Sequence, residues 1–197
     1  MLLPNYSGKS FEAGVDEAGR GCLAGPVVAA AVILPPAYTH NLLNDSKQLN
    51  RRQREALRED ILRDAVSWGI GEATPKEIDE INILQATYLA MHRAIEKLEL
   101  QPEYLIIDGN RFKSYKDVSS ACIVKGDGKF LSIAAASVLA KTYRDDLMTV
   151  LDEKHACYGW KQNAGYPTPK HRMAIAAHGA TLHHRMSFTL LPKEKVL

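Results

Sequence analysis

Long apolar stretches, paired cysteines and a strong net charge are all missing from this chain of 197 residues. No run approaches the ~20 apolar residues that a membrane-spanning helix needs. The N-terminal stretch MLLPNYSGKS lacks the basic and apolar regions of a signal peptide. The three cysteines are widely spaced and fit neither a disulfide framework nor a zinc motif. We therefore expect a cytoplasmic protein with reduced thiols.

The charged residues are unevenly distributed, although the net charge of the whole chain is only +2. Residues 154–197 contain seven lysines and arginines against one glutamate, a net charge of +6, together with five histidines. Residues 1–153 therefore carry a net charge of −4. A basic segment beside an acidic body indicates binding to nucleic acid. A solvated tail that balances the charge of the body is the alternative.

The hydrophobic pattern predicts one mixed α/β domain over residues 1–197, preceded by an arm at residues 1–10. We expect a sheet of about five strands with helices on both faces. The apolar, β-prone runs that form the predicted strands are residues 11–17, 27–34, 66–72, 104–108 and 121–124. The predicted helices cover residues 51–65, a segment that starts at the capping box of Thr74 and carries apolar residues from Ile78 to Leu98, and residues 130–153 and 167–178.

The most informative stretch runs from Phe11 to Val28, where the adjacent carboxylates Asp16 and Glu17 precede a Gly-Arg-Gly turn. Carboxylate oxygens bind hard cations such as Mg²⁺ or Mn²⁺. Glycines let a ligand approach the backbone, and arginine suits phosphate. Neighbouring residues on a strand point to opposite faces, so the two acids share a site only if the strand ends or bends there. A strand closed by an ordinary acidic turn is the alternative.

Two further acids follow predicted strands. Asp108 closes the run YLIID, and Asp127 comes shortly after the strand at residues 121–124. Open α/β sheets place their sites at such strand ends. Four carboxylates in one crevice would raise each other's pKa unless cations bound there, which is the logic of a two-metal site. Strand order is not visible in a sequence, and each acid taken singly also fits an ordinary turn.

The hexapeptide DEAGRG at residues 16–21 resembles the signature of the bacterial type 2 ribonuclease H family, ribonuclease HII. Five further segments resemble motifs of that family, in family order: DSKQL at 45–49, IDGN at 107–110, KGD at 125–127, AAASVLAK at 134–141 and GYPT at 165–168. The resemblance extends from about residue 11 to about residue 188. It implies a ribonuclease H-like fold with a helical C-terminal extension from about residue 154.

The resemblance also implies roles for individual residues. The turn of Gly19, Arg20 and Gly21 would contact the ribonucleotide, whose 2′-hydroxyl its backbone groups can recognise. Tyr166 would stack on the following sugar and sense an RNA–DNA junction, although without its motif it would be interpreted as a core aromatic. The catalytic acids, which would bind two Mg²⁺ or Mn²⁺ ions, are Asp16, Glu17, Asp108 and Asp127.

Several basic or polar residues are candidate phosphate contacts, which position a duplex without reading its sequence. Ser46 and Lys47 match a phosphate-contacting motif of the family, although Lys47 also fits a solvated loop. The further candidates are Lys141, Arg144, Lys170, His171 and Arg185.

The resemblance implies an endoribonuclease that hydrolyses the RNA strand of RNA–DNA hybrids. It would also nick 5′ to ribonucleotides embedded in duplex DNA, leave 3′-hydroxyl and 5′-phosphate ends, and help to remove ribonucleotides from DNA. We expect a monomer. The alternatives are another nuclease of the same fold, such as a junction resolvase, and a non-catalytic nucleic-acid-binding module. Type 3 ribonuclease H is disfavoured, because about ten residues before the first strand leave no room for its extra domain.

Two other features concern histidine and cysteine. His171, His183 and His184 fit no metal motif, so we expect surface or helix-end roles for them. Gly21-Cys22 stands where many relatives have Gly-Pro, which places a thiol near the predicted site and predicts that activity is sensitive to oxidation.

Overall fold

The computed structural model describes residues 2–36, 38–45 and 50–192. Its centre is a five-stranded sheet in the order β3-β2-β1-β4-β5. The antiparallel pairs are β1–β2 and β2–β3, whereas β4 runs parallel to β1 and β5 runs parallel to β4. The mixed α/β fold class is therefore confirmed. The strands are β1 (Glu12–Ala18), β2 (Val27–Ile33), β3 (Ser67–Ala73), β4 (Tyr104–Asp108) and β5 (Ser120–Ile123).

The helices that the described residues form lie close to the predicted ranges. They are α1 (Arg51–Asp64), α2 (Pro75–Glu96), α3 (Leu131–Lys154), α4 (Trp160–Asn163) and α5 (Pro169–His178). The short helix α4 falls between the predicted helices at residues 130–153 and 167–178, where no element is predicted. Within the described part of the chain, no helix combines the length and the apolarity that crossing a membrane requires.

Both faces of the sheet are covered, and β2 shows this most clearly because all seven of its residues are buried. Its alternate residues divide between two cores, since successive side chains on a strand point to opposite faces. Val27 and Ala29 belong to the core beneath α2. Val28 and Ala30 belong to the core beneath α1 and α3. A separate cluster, built around Trp160, joins α3 to α4 and α5.

Helix α3 packs directly on the backbone of β1 at Gly14. A Cβ atom at this position would overlap the backbone of Ser132 and Ile133, so only glycine permits the contact. The start of α3 is thereby held against the middle of β1. The helix then continues past the carboxyl end of the strand, where the predicted acids lie.

Helix α2 is not the continuous amphipathic helix that its apolar spacing predicts. Asn82 interrupts it with a φ of 65° and a ψ of 162°. The side-chain oxygen of Asn82 accepts hydrogen bonds from the amides of Leu84 at 3.0 Å and Gln85 at 3.2 Å, so Asn82 caps a second helical segment. Ile81, which the spacing places on the buried face, is 38% exposed as a result.

The apolar run at residues 121–124 predicts a buried strand, and that prediction is wrong for β5. Its four residues alternate between exposed and partly buried. The physical reason is its place in the sheet, because β5 is an edge strand with β4 as its neighbour on one side only. Its apolar residues therefore pack on one face alone, and Val124 just beyond it is 56% exposed.

The backbone of Asn82 gives a test of the interrupted helix. Asn82→Gly is expected to stabilise the protein by about 1 kcal/mol, because glycine relieves a conformation that costs other residues ~1–3 kcal/mol and replaces asparagine as a cap at little loss. Asn82→Ala is the matched control, since it keeps the strain and loses the cap, and it is expected to lower Tm. Thermal unfolding should separate the two variants by several degrees. Equal Tm values for both would contradict the assigned backbone geometry.

Candidate active site

Two of the predicted acids lie side by side at the carboxyl end of the sheet. Val15 of β1 is the register partner of Ile107 in the parallel strand β4. The next residues along each strand are Asp16 and Asp108, and adjacent strands lie about 4.8 Å apart. Residues at equivalent positions of neighbouring parallel strands share a face of the sheet. The register therefore brings the two carboxylates, 92 positions apart in the sequence, to one place.

Asp16 is the most deeply buried acid of the site, with 6% of its surface exposed. Its Oδ1 atom accepts a hydrogen bond from the amide of Glu17 at 2.7 Å. The hydroxyl of Ser137, on α3, also bonds its carboxylate. Burial raises the pKa of Asp16 well above its ordinary value, and the negative charges of Glu17 and Asp108 raise it further. A buried carboxylate among like charges is poorly stabilised and favours a bound cation.

Glu17 is the second-last residue of β1 and lines two cavities of the site. It helps to line a cavity of about 400 Å³ on the side of the glycine turn, and one of about 330 Å³ that also includes Asp108. Its Oε1 atom accepts a hydrogen bond from Arg20 at 3.0 Å. Burial raises the pKa of Glu17, and the Arg20 guanidinium partly offsets this. The position of Glu17 at the strand end lets it share the site although it follows Asp16 directly.

Asp108 is connected to the loop that carries the fourth acid. Its Oδ1 atom accepts a hydrogen bond from the amide of Gly126 at 2.6 Å. Gly126 begins a 3₁₀ turn, Gly126–Gly128, that contains Asp127. Asp127 lines the same 400 Å³ cavity as Glu17. Asp127 is therefore brought to the site by a turn, whereas the other three acids lie on strands.

The donor set fits Mg²⁺ or Mn²⁺, which prefer carboxylate oxygens. Asp16 and Glu17 both have a raised pKa because they are buried near other acids, and a divalent cation would relieve that repulsion. The acids do not form a ready-made cage. Among residues 2–36, 38–45 and 50–192, no three histidine, cysteine, aspartate or glutamate side chains are arranged to hold a metal ion. Ligation by these acids stays a prediction.

The glycine turn and Tyr166 lie on the same cavity. The lining of this cavity includes Gly19, Arg20 and Gly21, and also Tyr166 and Lys141. Tyr166 is 41% exposed, so it is not the core aromatic that was the alternative. Lys141 forms an ion pair with Asp145 one helical turn away. The arrangement places hydrogen-bonding backbone, an aromatic ring and a cation around one opening beside the acids.

Arg144 and Arg185 were predicted to contact phosphate, and the structure corrects this. Arg144 is 1% exposed and Arg185 is fully buried. Arg144 donates hydrogen bonds to backbone carbonyls, including that of Pro26 at 2.9 Å. Arg185 donates to the carbonyls of Gly25 at 3.0 Å and Arg20 at 2.9 Å. Guanidinium groups enclosed by protein and bonded to its backbone do not reach a duplex at the surface.

His171, a further predicted phosphate contact, is also fully buried, and so is His184 at 1% exposure. A surface role is therefore wrong for both, although His171 does lie at a helix end, in the first turn of α5. His171 Nε2 lies 2.9 Å from the indole nitrogen of Trp160 and 3.3 Å from Nε2 of His184. Its Nδ1 atom lies 2.9 Å from the carbonyl of Tyr166. His171 thus supports the loop that carries Tyr166 instead of contacting a ligand itself.

Three other predicted residues have different outcomes. Lys170 is exposed at the start of α5 beside a cavity of about 690 Å³, as a phosphate contact requires. Ser46 and Lys47 lie outside the described residues. Cys22 is fully buried, and burial raises the pKa of its thiol. Because oxidation needs an accessible thiolate, the structure does not support the predicted oxidation sensitivity.

Sequence reasoning missed two residues that organise the site. Ser137 bonds Asp16 from α3, and a lone serine within the alanine-rich run AAASVLAK was the available signal. Asp79 accepts hydrogen bonds from the amides of Met186 and Ser187, both at 2.9 Å. This contact attaches the segment after Arg185 to the start of α2. No local pattern predicts it, because the partners are more than 100 residues apart.

The chain is similar to known proteins in both sequence and overall fold. The family model of ribonuclease HII matches residues 13–191. Ribonuclease HII of Bacteroides fragilis is 62% identical over 191 residues, covering 97% of this chain and 95% of the relative. The solved RNase HII of Archaeoglobus fulgidus, in a complex with PCNA, aligns with a TM-score of 0.77 and 28% identity over 93% of this chain and 97% of that one. The ribonuclease H2 of Pyrococcus horikoshii OT3 aligns with a TM-score of 0.74 and 26% identity, covering 91% and 94%.

Replacing the buried acid tests the predicted cation site without an activity assay. Asp16→Asn is expected to raise Tm in the absence of divalent ions, by about 2–4 °C for each kcal/mol of relieved repulsion. Wild-type protein should gain Tm when Mn²⁺ is added, whereas the variant should gain little. Asp117→Asn, at an exposed acid, is the control and should behave like wild type. An equal Mn²⁺-dependent gain in all three proteins would contradict a site at Asp16.

The buried histidines predict a dependence of stability on pH. Burial and the neighbouring His171 lower the pKa of His184 to about 4, against about 6.5 in an unfolded chain. Between these values the unfolded state binds more protons, so the free energy of unfolding falls as pH drops from about 6.5 to 4. His184→Asn should flatten this slope in urea unfolding curves, whereas His178→Asn, at an exposed residue near the end of α5, should leave it unchanged. Identical slopes in all three proteins would argue against a neutral His184.

Proposed function

Because this chain belongs to the ribonuclease HII family, we propose that it nicks duplex DNA on the 5′ side of embedded ribonucleotides and cuts the RNA strand of RNA–DNA hybrids. Family membership makes the protein a metal-dependent endonuclease of the ribonuclease H class. The non-catalytic binding module and the junction resolvase are set aside for the same reason. The observation that carries the finer proposal is that Glu17 and the Gly19–Gly21 turn line one cavity with Tyr166.

Recognition of the ribonucleotide rests on what this cavity offers. RNA differs from DNA by a 2′-hydroxyl, which both donates and accepts hydrogen bonds. The backbone of Gly19 and Gly21 supplies such groups without a side chain in the way. Tyr166 supplies a half-exposed ring on which the next sugar can pack. The turn would thus recognise the ribonucleotide, and the tyrosine would recognise the deoxyribonucleotide that follows it.

The chemistry is hydrolysis of one phosphodiester bond. Asp16, Glu17, Asp108 and Asp127 would hold two Mg²⁺ or Mn²⁺ ions, which when bound neutralise charge on the phosphate and lower the pKa of water. A water oxygen forms a new bond to phosphorus while the bond from phosphorus to the 3′ oxygen breaks. The 3′ oxygen takes up a proton, which leaves 3′-hydroxyl and 5′-phosphate ends. Ser137 and Arg20 keep Asp16 and Glu17 in place through their hydrogen bonds.

The remaining parts of the proposal concern the duplex and the cell. Lys141 beside the cavity and Lys170 at α5 are the surviving candidates for phosphate contacts among the described residues, and the net charge of +6 over residues 154–197 favours a polyanion. We expect the enzyme to act as a monomer in the cytoplasm and to contribute to removal of ribonucleotides from DNA.

A duplex with a single embedded ribonucleotide tests the proposal directly. Wild-type protein should nick it on the 5′ side in Mg²⁺ and should leave it intact in EDTA. Asp108→Asn should lower kcat by about a hundredfold or more, because it removes an acid of the cation site while the amide preserves its shape. The readout is the length of the end-labelled product on a denaturing gel.

Two controls complete the assay. Asp117→Asn removes an exposed acid from the connection between β4 and β5, which follows Asp108, and this variant should cut like wild type. A duplex of the same sequence without a ribonucleotide should stay intact. Near-normal cleavage by Asp108→Asn would contradict the assigned acids, and cleavage of the all-DNA duplex would contradict the proposed specificity.

A further inference from the structure

Two buried guanidinium groups bond the backbone next to the cavity that the glycine turn and Tyr166 share. Arg144 and Arg185 are 1% and 0% exposed. Among residues 2–36, 38–45 and 50–192, neither forms an ion pair with a carboxylate. Burial lowers the pKa of Arg185 to about 10, and the charge of Arg144 contributes. Burying two cations without a carboxylate partner is destabilising. Packing alone does not explain why these two arginines are buried, and their hydrogen bonds indicate a further role.

The three hydrogen bonds of Arg144 connect two separate segments. Its Nε and Nη2 atoms donate to the carbonyls of Pro26 and Ala24, both at 2.9 Å. These residues follow the glycine turn. Its Nη1 atom donates to the carbonyl of Ala164 at 2.8 Å, two residues before Tyr166. Because a guanidinium is planar and rigid, its donors fix both the distance and the angle between the segments.

The two segments also touch each other at glycines. The amide of Leu23 donates to the carbonyl of Gly165 at 2.8 Å. Gly165 has a φ of +78°, and a Cβ there would lie 2.5 Å from the carbonyl oxygen of Ala24. A Cβ at Gly19 would overlap the guanidinium of Arg144. Turn, guanidinium and tyrosine loop are therefore in direct contact, with no room for an additional side chain.

We propose that Arg144 is a positioning residue, which holds Tyr166 at a fixed distance from the Gly19–Gly21 turn and so sets how efficiently a single ribonucleotide is cut relative to a continuous RNA strand; this relative efficiency is called the preference below. The inference rests on the proposed function. A single ribonucleotide in DNA can be cut in only one position on the enzyme. In that position the turn contacts the 2′-hydroxyl and Tyr166 contacts the next sugar at the same time. A continuous RNA strand offers a 2′-hydroxyl at every position, so it tolerates a looser spacing. Fixed geometry of this kind affects catalysis when it shifts by about 1 Å.

The experiment compares two duplexes of one sequence, one with a single ribonucleotide and one with an all-RNA strand. Arg144→Gln should lower kcat on the single ribonucleotide by at least about tenfold more than on the hybrid, with KM nearly unchanged. Arg144→Lys should lose less kcat on the single ribonucleotide than Arg144→Gln does, because lysine keeps the charge and a hydrogen-bond donor. Gly165→Ala should produce the same loss of preference, since it separates the two segments and leaves the guanidinium intact.

Two controls separate positioning from stability. Leu139→Ala truncates a fully buried residue on the same helix, in the core beneath α1 and α3, and should lower Tm while both duplexes are affected equally. In a Tyr166→Ala background, Arg144→Gln should cause no further loss of preference, because the two residues act as one unit. Should Arg144→Gln fail to fold, Gly165→Ala and Arg144→Lys decide the matter.

The outcomes distinguish this inference from the function on which it rests. If wild type nicks the single ribonucleotide but Gly165→Ala and the Arg144 variants keep its preference, the positioning role is overturned and the proposed function stands. If the losses in the Arg144 variants match Leu139→Ala on both duplexes, Arg144 only supports the fold. If wild type leaves the single ribonucleotide intact, the proposed function and the inference fall together.

Discussion

The site depends on one unfavourable arrangement, the placement of Asp16 and Asp108 side by side at the ends of β1 and β4 with Glu17 next to them. Burial of Asp16 beneath α3 destabilises its ionised carboxylate, and the negative charges of the two neighbouring acids destabilise it further. Such an arrangement persists because the rest of the sheet is stable enough to impose it. The divalent ions that the proposed reaction needs would relieve the repulsion among these carboxylates. The same repulsion that destabilises the empty site therefore favours cation binding.

Helix α3 connects this acidic site with the parts proposed to recognise substrate. Its start packs on β1 at Gly14, Ser137 in its second turn bonds Asp16, and Arg144, about two turns later, bonds the segments that carry the glycine turn and Tyr166. A rigid helix holds such groups at fixed spacing more accurately than a loop does. The C-terminal segment adds support from the other side, where Arg185 bonds the carbonyl of Arg20.

Local patterns predicted most elements and the identity of the acids. The capping box at Thr74 located the start of α2, and the runs that end at Asp108 located its strand. The failures have particular causes. Asn82 interrupts α2 because its own side chain caps a new segment, which outweighs a continuous apolar spacing. Arg144 and His171 were expected at the surface because charged and polar residues usually lie there, whereas here backbone carbonyls and an indole satisfy them inside.

The sequence by itself determined which residues have the chemistry: acids at strand ends, a glycine-rich turn, and motifs in the order of a known family. Such information is local, since it depends on residue type and on spacing of a few positions. Only the tertiary structure decided which of them meet and which are enclosed. Parallel pairing of β1 with β4 joins residues 92 positions apart, and the buried guanidinium of Arg144 joins segments 120 and 20 positions away. Contacts across such distances form only when the whole chain packs, and spacing along the chain does not encode them.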